Sequence, residues 1–449
     1  MKILITGLAL AATLLAESAM AWGDHRFPSY LAFERMPEIV QAAAVKVEPL
    51  STFLRAEETA LQKHMADEEA WSVANLDWYP PLPPALAFRA NPSHGDAARK
   101  LAFLMALRIA PNAPLSLYFQ PDIRKPRPPG QPLPHGSVNT LPLSAGVAFS
   151  YFPLNPGQMI DALSVLATAT EEPDTGLDIN LWSDSRSEWG KALGFGPQPF
   201  GNPSLAFSSQ APFHMGFYHE SPLIYMAADF TRHTLPLHRQ HQFTKLSMLA
   251  FRTGHPYWGW RFAGMALHYL QDLTQPFHAS LSPGNSAIEL IGINTLAMLG
   301  LSKWKDDMVI LLSNRHLALE HYQTAWLRRN ASLQLDGELE VALHSMARDS
   351  SYPAWSDAYV RDVVSAQAAT RGAALVRAML DSVPATYVND PQFDFGPKAD
   401  AIALNDEVEK TASAASRQGL EATVTELLGD FGAHSRNALR GILRSTPQH

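Results

Sequence analysis

Two histidine–carboxylate pairs have a spacing that suits metal binding. Asp272 follows His268 by four residues, and Glu320 follows His316 by four residues. On a helix, residues four apart project from the same face, so each pair can direct two ligands at one ion. Imidazole and carboxylate are ordinary zinc ligands, and catalytic zinc sites use about three protein ligands and leave a position for water. The pairs indicate metal chemistry, although a single such pair also occurs on solvated helix faces.

A third histidine follows the first pair at once. Pro276 ends or bends the predicted helix just after Asp272, and His278 comes directly beyond it. Histidine is also concentrated here, since ten of the 17 histidines lie between His214 and His321. This stretch is therefore where we expect a metal site.

The first 21 residues have the layout of a secretory signal peptide. Lys2 precedes the apolar run 3–16, and Ala19-Met20-Ala21 forms an Ala-x-Ala cleavage site. The run is too short to favour a permanent transmembrane helix. We expect an exported protein, periplasmic or extracellular, with a mature chain that begins at Trp22.

Composition narrows the class of protein further. The chain of 449 residues contains no cysteine and carries a formal net charge of -8. The lack of cysteine excludes thiolate zinc fingers, thiol nucleophiles and a lipoprotein anchor. An exported chain without disulfides must be held together by its core or by another element such as bound metal. The acidic balance argues against a dedicated nucleic-acid binder, which usually has a basic patch, so we expect no stable nucleic-acid partner. The oligomeric state is unknown from the sequence.

Helical periodicity dominates the chain and predicts an all-α fold without alternating strands. The main predicted helices span 94–109, 158–168, 258–273, 305–326, 356–380 and 401–443. Proline-rich stretches at 79–84 and 121–134 predict extended connections. We expect residues 22–449 to form a single domain.

Two further segments have alternative interpretations. Segment 287–301 is apolar but interrupted by Glu289 and Asn294, which argues against a membrane span. It is predicted to be either an interfacial or lid helix that gives access to lipid, or a buried core helix. The basic residues between Arg232 and His241 are interpreted as a solvated turn.

The string HYLQDLTQPFHAS at 268–280 resembles the signature of the zinc-dependent phospholipase C and single-strand nuclease superfamily. It is closer to the form found in the bacterial phospholipases C. In those enzymes a histidine, an aspartate four residues later and a histidine six after that serve three zinc ions. Their mature chains begin with a tryptophan, which binds zinc through its amine and carbonyl, and Trp22 fits that requirement. The resemblance implies a multi-helix bundle of this type with large loop and helical insertions, and segment 30–150 would be an insertion.

The resemblance also implies three Zn²⁺ ions and a ligand set for each. The first ion would be held by Asp174, His214, His268 and Asp272. The second would be held by His278, His316 and Glu320. The third would be held by Trp22 and His25, with Asp272 as a bridge. Asp178 competes with Asp174 in this assignment, and His219 competes with His214.

The implied reaction is hydrolysis of a phospholipid phosphodiester, of the phosphatidylcholine kind, by a metal-activated water. Asp174 would be both a ligand and the catalytic proton acceptor. Glu320 favours the phospholipase branch, since the nucleases usually have aspartate there, and the lack of cysteine points the same way. The expected partners are a phospholipid substrate and a membrane interface. The alternatives are a single-strand nuclease or nucleotidase with the same site, and a non-catalytic exported protein stabilised by zinc.

Overall fold

The computed structural model describes residues 24–142, 150–201 and 206–445. The signal peptide predicted at 1–21 and the predicted ligand Trp22 lie outside the described residues. The structure is 61% helix and 2% strand, which confirms the all-α prediction.

Nineteen α-helices occur in the described part of the chain: α1 (Arg26–Phe33), α2 (Pro37–Val40), α3 (Leu50–Ala56), α4 (Glu58–Asn75), α5 (Asp96–Leu107), α6 (Ala162–Ala169), α7 (Gly190–Leu193), α8 (Ala211–His214), α9 (Pro222–Ala227), α10 (Pro236–Arg252), α11 (Pro256–Asp272), α12 (Pro276–Ala279), α13 (Ala287–Met298), α14 (Lys303–Ser332), α15 (Glu338–His344), α16 (Ala366–Ser382), α17 (Ala385–Val388), α18 (Leu404–Thr411) and α19 (Ala414–Arg444). The strands are β1 (Val45–Lys46), β2 (Tyr118–Phe119), β3 (Phe152–Pro153) and β4 (Met159–Ile160). β1 pairs antiparallel with β4, and β2 pairs antiparallel with β3.

The predicted helices are present, with differences at their ends. The helix predicted at 158–168 begins at Ala162, because Met159 and Ile160 pair with β1. The segment predicted as one helix at 401–443 forms α18 and α19, and the side chain of Ser413 caps the second of them. The segment 356–380 becomes a π-helical stretch, Val360–Ser365, that continues into α16.

Helix α11 lies at the centre of the fold. All its residues from Tyr257 to Asp272 are buried, and it packs against α6, α10 and α19. Gly264 allows α6 to come close, because a Cβ there would lie 2.6 Å from the Ala169 Cβ and nearer still to the Leu166 carbonyl oxygen. The chain that leaves α6 is thereby brought beside the face of α11 that carries the metal-binding motif.

A single large apolar core connects the N-terminal and C-terminal helices. It extends from Phe27 in α1 to Ile442 in α19. The segment predicted to be an insertion, 30–150, contributes Phe53 and Phe103 to this same core. Its helices therefore pack on the body of the fold rather than standing apart from it.

The interpretation of 232–241 as a solvated turn fits the exposed Arg232 but is wrong for His238, Arg239 and His241. Helix α10 begins at Pro236, and His238, Arg239 and His241 are buried within it. The physical reason is that each of them has a buried polar partner, such as Asp178 for Arg239 and Glu68 for His241.

The close approach of α6 and α11 generates a stability prediction. Gly264→Ala should lower the free energy of unfolding by about 1–3 kcal/mol, because the new methyl group overpacks the helix contact. The matched control is Gly419→Ala, also within a helix, where a Cβ meets nothing within 4 Å. The control should be neutral or stabilising by up to about 1 kcal/mol. Equal effects of the two substitutions in denaturant melts would contradict the packing argument.

Candidate metal centre

Asp272 is the carboxylate on which the site converges. Its oxygens lie 2.9 Å from His214 Nδ1, 3.3 Å from His268 Nε2, 3.4 Å from His25 Nε2 and 3.5 Å from His278 Nδ1. All five side chains are buried. Burial raises the pKa of Asp272, but the surrounding histidines, led by His268 and His278, hold it well below its usual value. The carboxylate is therefore an anion at the centre of a ring of imidazoles.

The ligand atoms form three groups, and within each group they lie within 4.8 Å of one another. The groups are His25 with His268 and Asp272; Asp174 with His214 and His268; and His278 with His316 and Glu320. The first two share His268, and Asp272 touches members of all three. The structure thus brings together eight of the nine residues predicted to bind metal, and the ninth, Trp22, lies outside the described residues.

Hydrogen bonds behind the histidines orient their ligand nitrogens. His268 Nδ1 lies 2.7 Å from the Thr170 carbonyl oxygen, and His25 Nδ1 lies 3.0 Å from Gln271 Oε1. Because these partners are acceptors, each Nδ1 must carry the proton and donate it. The Nε2 lone pair of each ring then points into the cluster, which is how metal-ligating histidines are usually held.

Asp178 supports His214 from the side away from the cluster. It lies 3.5 Å from His214 Nε2, and it accepts hydrogen bonds from Arg239 Nε at 2.8 Å and from the Tyr269 hydroxyl at 2.6 Å. Burial raises the pKa of Asp178, but the Arg239 charge brings it below its usual value. Asp178 therefore lies behind the candidate ligand His214, and no sequence pattern indicates Arg239 as its partner, because the two residues are 61 positions apart.

Two features of the buried donor atoms fit bound cations. Neither oxygen of Asp174 receives a hydrogen bond within the described part of the chain. In addition, His268 Nε2 and His214 Nδ1 lie 3.0 Å apart and both face the carboxylate of Asp272. An unsatisfied buried carboxylate is unfavourable, and a metal ion bound by Asp174 and these two nitrogens would remove that penalty.

The carboxylates of the centre also interact with one another. Burial, together with the charges of Asp272 and Glu320, raises the pKa of Asp174 to about 6. In the same group, burial lowers the pKa of His214, but hydrogen bonds to Asp178 and Asp272 outweigh it and raise the pKa to about 10. The buried site therefore concentrates negative charge, which is the electrostatic setting that a cation stabilises.

The third group faces a cavity. His316 Nε2 lies 2.7 Å from Glu320 Oε1 and 3.0 Å from His278 Nε2. The side chain of His316 is 17% exposed, whereas that of His278 is 1% exposed. Phe277 stacks on the His316 ring with centroids 5.4 Å apart. Beyond these histidines lies a cavity of about 300 Å³ with mostly aromatic and aliphatic walls.

Asp178 and His219, the alternatives to Asp174 and His214, lie outside the three groups that could hold metal. His219 is exposed, and its Nε2 lies 2.7 Å from the Arg361 carbonyl oxygen. Asp178 is buried but touches the outer nitrogen of His214, as described above. The groups that could hold metal therefore contain Asp174 and His214.

Comparisons with protein-family models, with curated proteins and with solved structures found no match to this chain. The site provides histidine, aspartate and glutamate groups that could hold metal ions.

His268 belongs to two of the three candidate ligand groups, and this gives a prediction about metal binding. His268→Ala should remove at least one bound metal equivalent, because the residue belongs to two of the three groups. The matched control is His219→Ala, which removes an exposed histidine outside them. Metal content is measured by mass spectrometry after extensive dialysis, and chelation should lower the melting temperature of the wild type by several degrees. Equal metal content in the two variants would contradict the assignment.

The support of His214 by Asp178 generates a second prediction. Asp178→Asn should weaken metal binding by about 10- to 100-fold, because the charge behind the His214 ring is lost. Tyr269→Phe is the comparison, since it removes one hydrogen bond to Asp178 and retains the charge. Competition with a coloured chelator measures both affinities. If Tyr269→Phe weakened binding as much as Asp178→Asn, hydrogen bonding rather than charge would be the operative contact.

Proposed function

We propose that this protein is an exported zinc-dependent phosphodiester hydrolase of the phospholipase C type. The proposal rests on three histidine–carboxylate groups that converge on Asp272. One of these groups, His278 with His316 and Glu320, faces an apolar cavity. The resemblance of residues 268–280 to the zinc phospholipase C signature supports the same conclusion.

The donor set suits zinc, since it consists of imidazole and carboxylate groups without thiolates. Three ions are proposed, and the amine of Trp22, three residues before His25, is assigned to one of them. Zinc held there would supply Lewis-acid chemistry, which activates water and offsets the charge of a phosphodiester. The group of His278, His316 and Glu320 has three protein ligands, which is the number that catalytic zinc sites use, whereas structural sites usually have four.

Asp174 is proposed as the proton acceptor in addition to its role as a ligand. Its buried oxygens have no hydrogen-bond partner among the described residues, so a lone pair remains for a proton. In the proposed hydrolysis, the attacking water loses a proton to Asp174 as its oxygen bonds to phosphorus. The ester bond between phosphorus and the leaving oxygen then breaks, the leaving oxygen takes up a proton to become the free hydroxyl of the lipid, and Asp174 returns its proton to solvent.

The cavity favours a lipid over a nucleic-acid substrate. Its walls include Phe200, Phe217, Phe230 and Met308, and they form an apolar space beside the candidate metal centre. Among the described residues that line it, Lys305 is the one cation other than histidine. Nucleic-acid grooves require several positive charges along the backbone path, and this arrangement does not provide them.

The test is a parallel assay of the mature chain that begins at Trp22 and is loaded with zinc. We expect release of phosphorylated head group from phosphatidylcholine and no cleavage of single-stranded nucleic acid. His268→Ala and chelation should each abolish this release. A precursor blocked against cleavage should be inactive, because its Trp22 nitrogen is an amide and a poor ligand.

Each other outcome of this assay changes the proposal in a defined way. Cleavage of nucleic acid alone would indicate a single-strand nuclease that uses the same proposed ligands. Activity on neither substrate, with the metals still bound, would favour a structural metal centre or another phosphoester. Full activity of the blocked precursor would overturn the role of the Trp22 amine.

A further inference from the structure

Helix α13 is apolar on both its inner and outer faces. Leu290, Ile291 and Ile293 line the cavity beside the candidate metal centre. Ile288 and Met298, on the same helix, are 78% and 72% exposed. No residue of α13 is buried, so the alternative prediction of a buried core helix is wrong. The helix instead forms a thin cover between the cavity and the solvent.

The outer apolar surface continues beyond this helix. We use the name apolar cover for residues 287–304, which comprise α13, the turn after it and the first residues of α14. The large side chains that it exposes are Ile288, Leu296, Met298, Leu299, Leu301 and Trp304. Between 287 and 302 the chain has one charged residue, Glu289, which takes part in the capping box at the start of α13. The neighbouring helix α9 adds the exposed Leu223 and Met226.

We propose that the apolar cover docks on a phospholipid surface and admits the apolar part of a lipid to the cavity. Among the described helices, none combines the length and the apolar character that a membrane span requires. An exposed apolar surface of this kind marks an interaction site. The choice of lipid as the occupant rests on the proposed function, since a lipid substrate must leave its bilayer before its phosphodiester reaches the candidate metal centre.

Two observations favour a lipid surface over a protein partner. First, α13 exposes apolar side chains to solvent on one face and lines, with Leu290, Ile291 and Ile293, the same cavity that His278 and His316 line. Second, the cover ends in Trp304, 63% exposed, between Lys303 and Lys305. Tryptophan favours the boundary between head groups and acyl chains, and lysine favours the phosphate level. The cover therefore ends in residue types that suit the edge of a lipid surface, while Lys303 also pairs with Asp307 and Lys305 also lines the cavity.

The test uses the zinc-loaded mature protein and vesicles of phosphatidylcholine. The variant Met298→Glu with Leu299→Glu places two charges in the cover, at side chains that are 72% and 73% exposed. The matched control, Val40→Glu with Val73→Glu, makes the same charge change at exposed apolar sites in α2 and α4. Brief flotation in the cold measures binding, and circular dichroism melts verify that both variants are folded.

We expect the wild type and the control to float with the vesicles and the cover variant to bind at least about tenfold more weakly. The cover variant should also lose vesicle hydrolysis to a similar degree. It should hydrolyse monomeric short-chain phosphatidylcholine within about twofold of the wild type, because its ligands are intact.

Vesicle binding decides the docking proposal, and hydrolysis decides the proposed function. Absence of wild-type binding, or equal binding by the cover variant, would overturn docking even if both lipids were hydrolysed. Concentration-dependent self-association of the wild type that the cover variant abolishes, without vesicle binding, would also overturn it in favour of a dimer surface. Binding that is lost in the cover variant supports docking, and if neither lipid is hydrolysed the failure belongs to the proposed function alone.

Discussion

The buried carboxylate of Asp272, in contact with four histidines, is the constraint on which the rest of the structure depends. Removing a carboxylate from water is unfavourable unless positive charge or hydrogen bonds replace the water. The histidines that do so come from α1, α8, α11 and α12 or from the residues that adjoin these helices. The helices must therefore pack around the end of α11, and the apolar core surrounds the site.

The residues behind the ligands are as much part of the site as the ligands. The Thr170 carbonyl oxygen and Gln271 Oε1 accept hydrogen bonds from His268 and His25, and the charge of Asp178 faces His214. Asp178 is in turn neutralised by Arg239. Buried polar networks of this kind are stable only when each member is satisfied. Among the described residues, both oxygens of Asp174 lack such hydrogen-bond partners, and they face into the cluster.

The candidate metal centre and the apolar cover are connected through α14. This helix begins at the cover with Lys303, lines the cavity with Met308 and Val309, and carries His316 and Glu320. Helix α14 therefore connects the apolar cover to the candidate ligands His316 and Glu320, and the side chain of His316 is 17% exposed.

The sequence by itself determined the features that depend on local geometry. Helical periodicity predicted the all-α class, and four-residue spacing placed His268 with Asp272 and His316 with Glu320 on single helix faces. Pro276 begins α12 and turns the chain, so His278 follows the first pair into the cluster. Within each pair the two residues are about one helical turn apart, so helix geometry sets their relation without help from distant segments.

Tertiary structure decided the rest, because burial and partners depend on segments far apart in the chain. Packing placed Asp174 in a ligand group and Asp178 behind His214, although the two aspartates are one helical turn apart in sequence. It also buried Arg239 against Asp178, where sequence predicted solvent. For α13, composition allowed either a core helix or a surface helix. Only the fold left it unburied, since the neighbouring helices cover one face and none of the described residues covers the other.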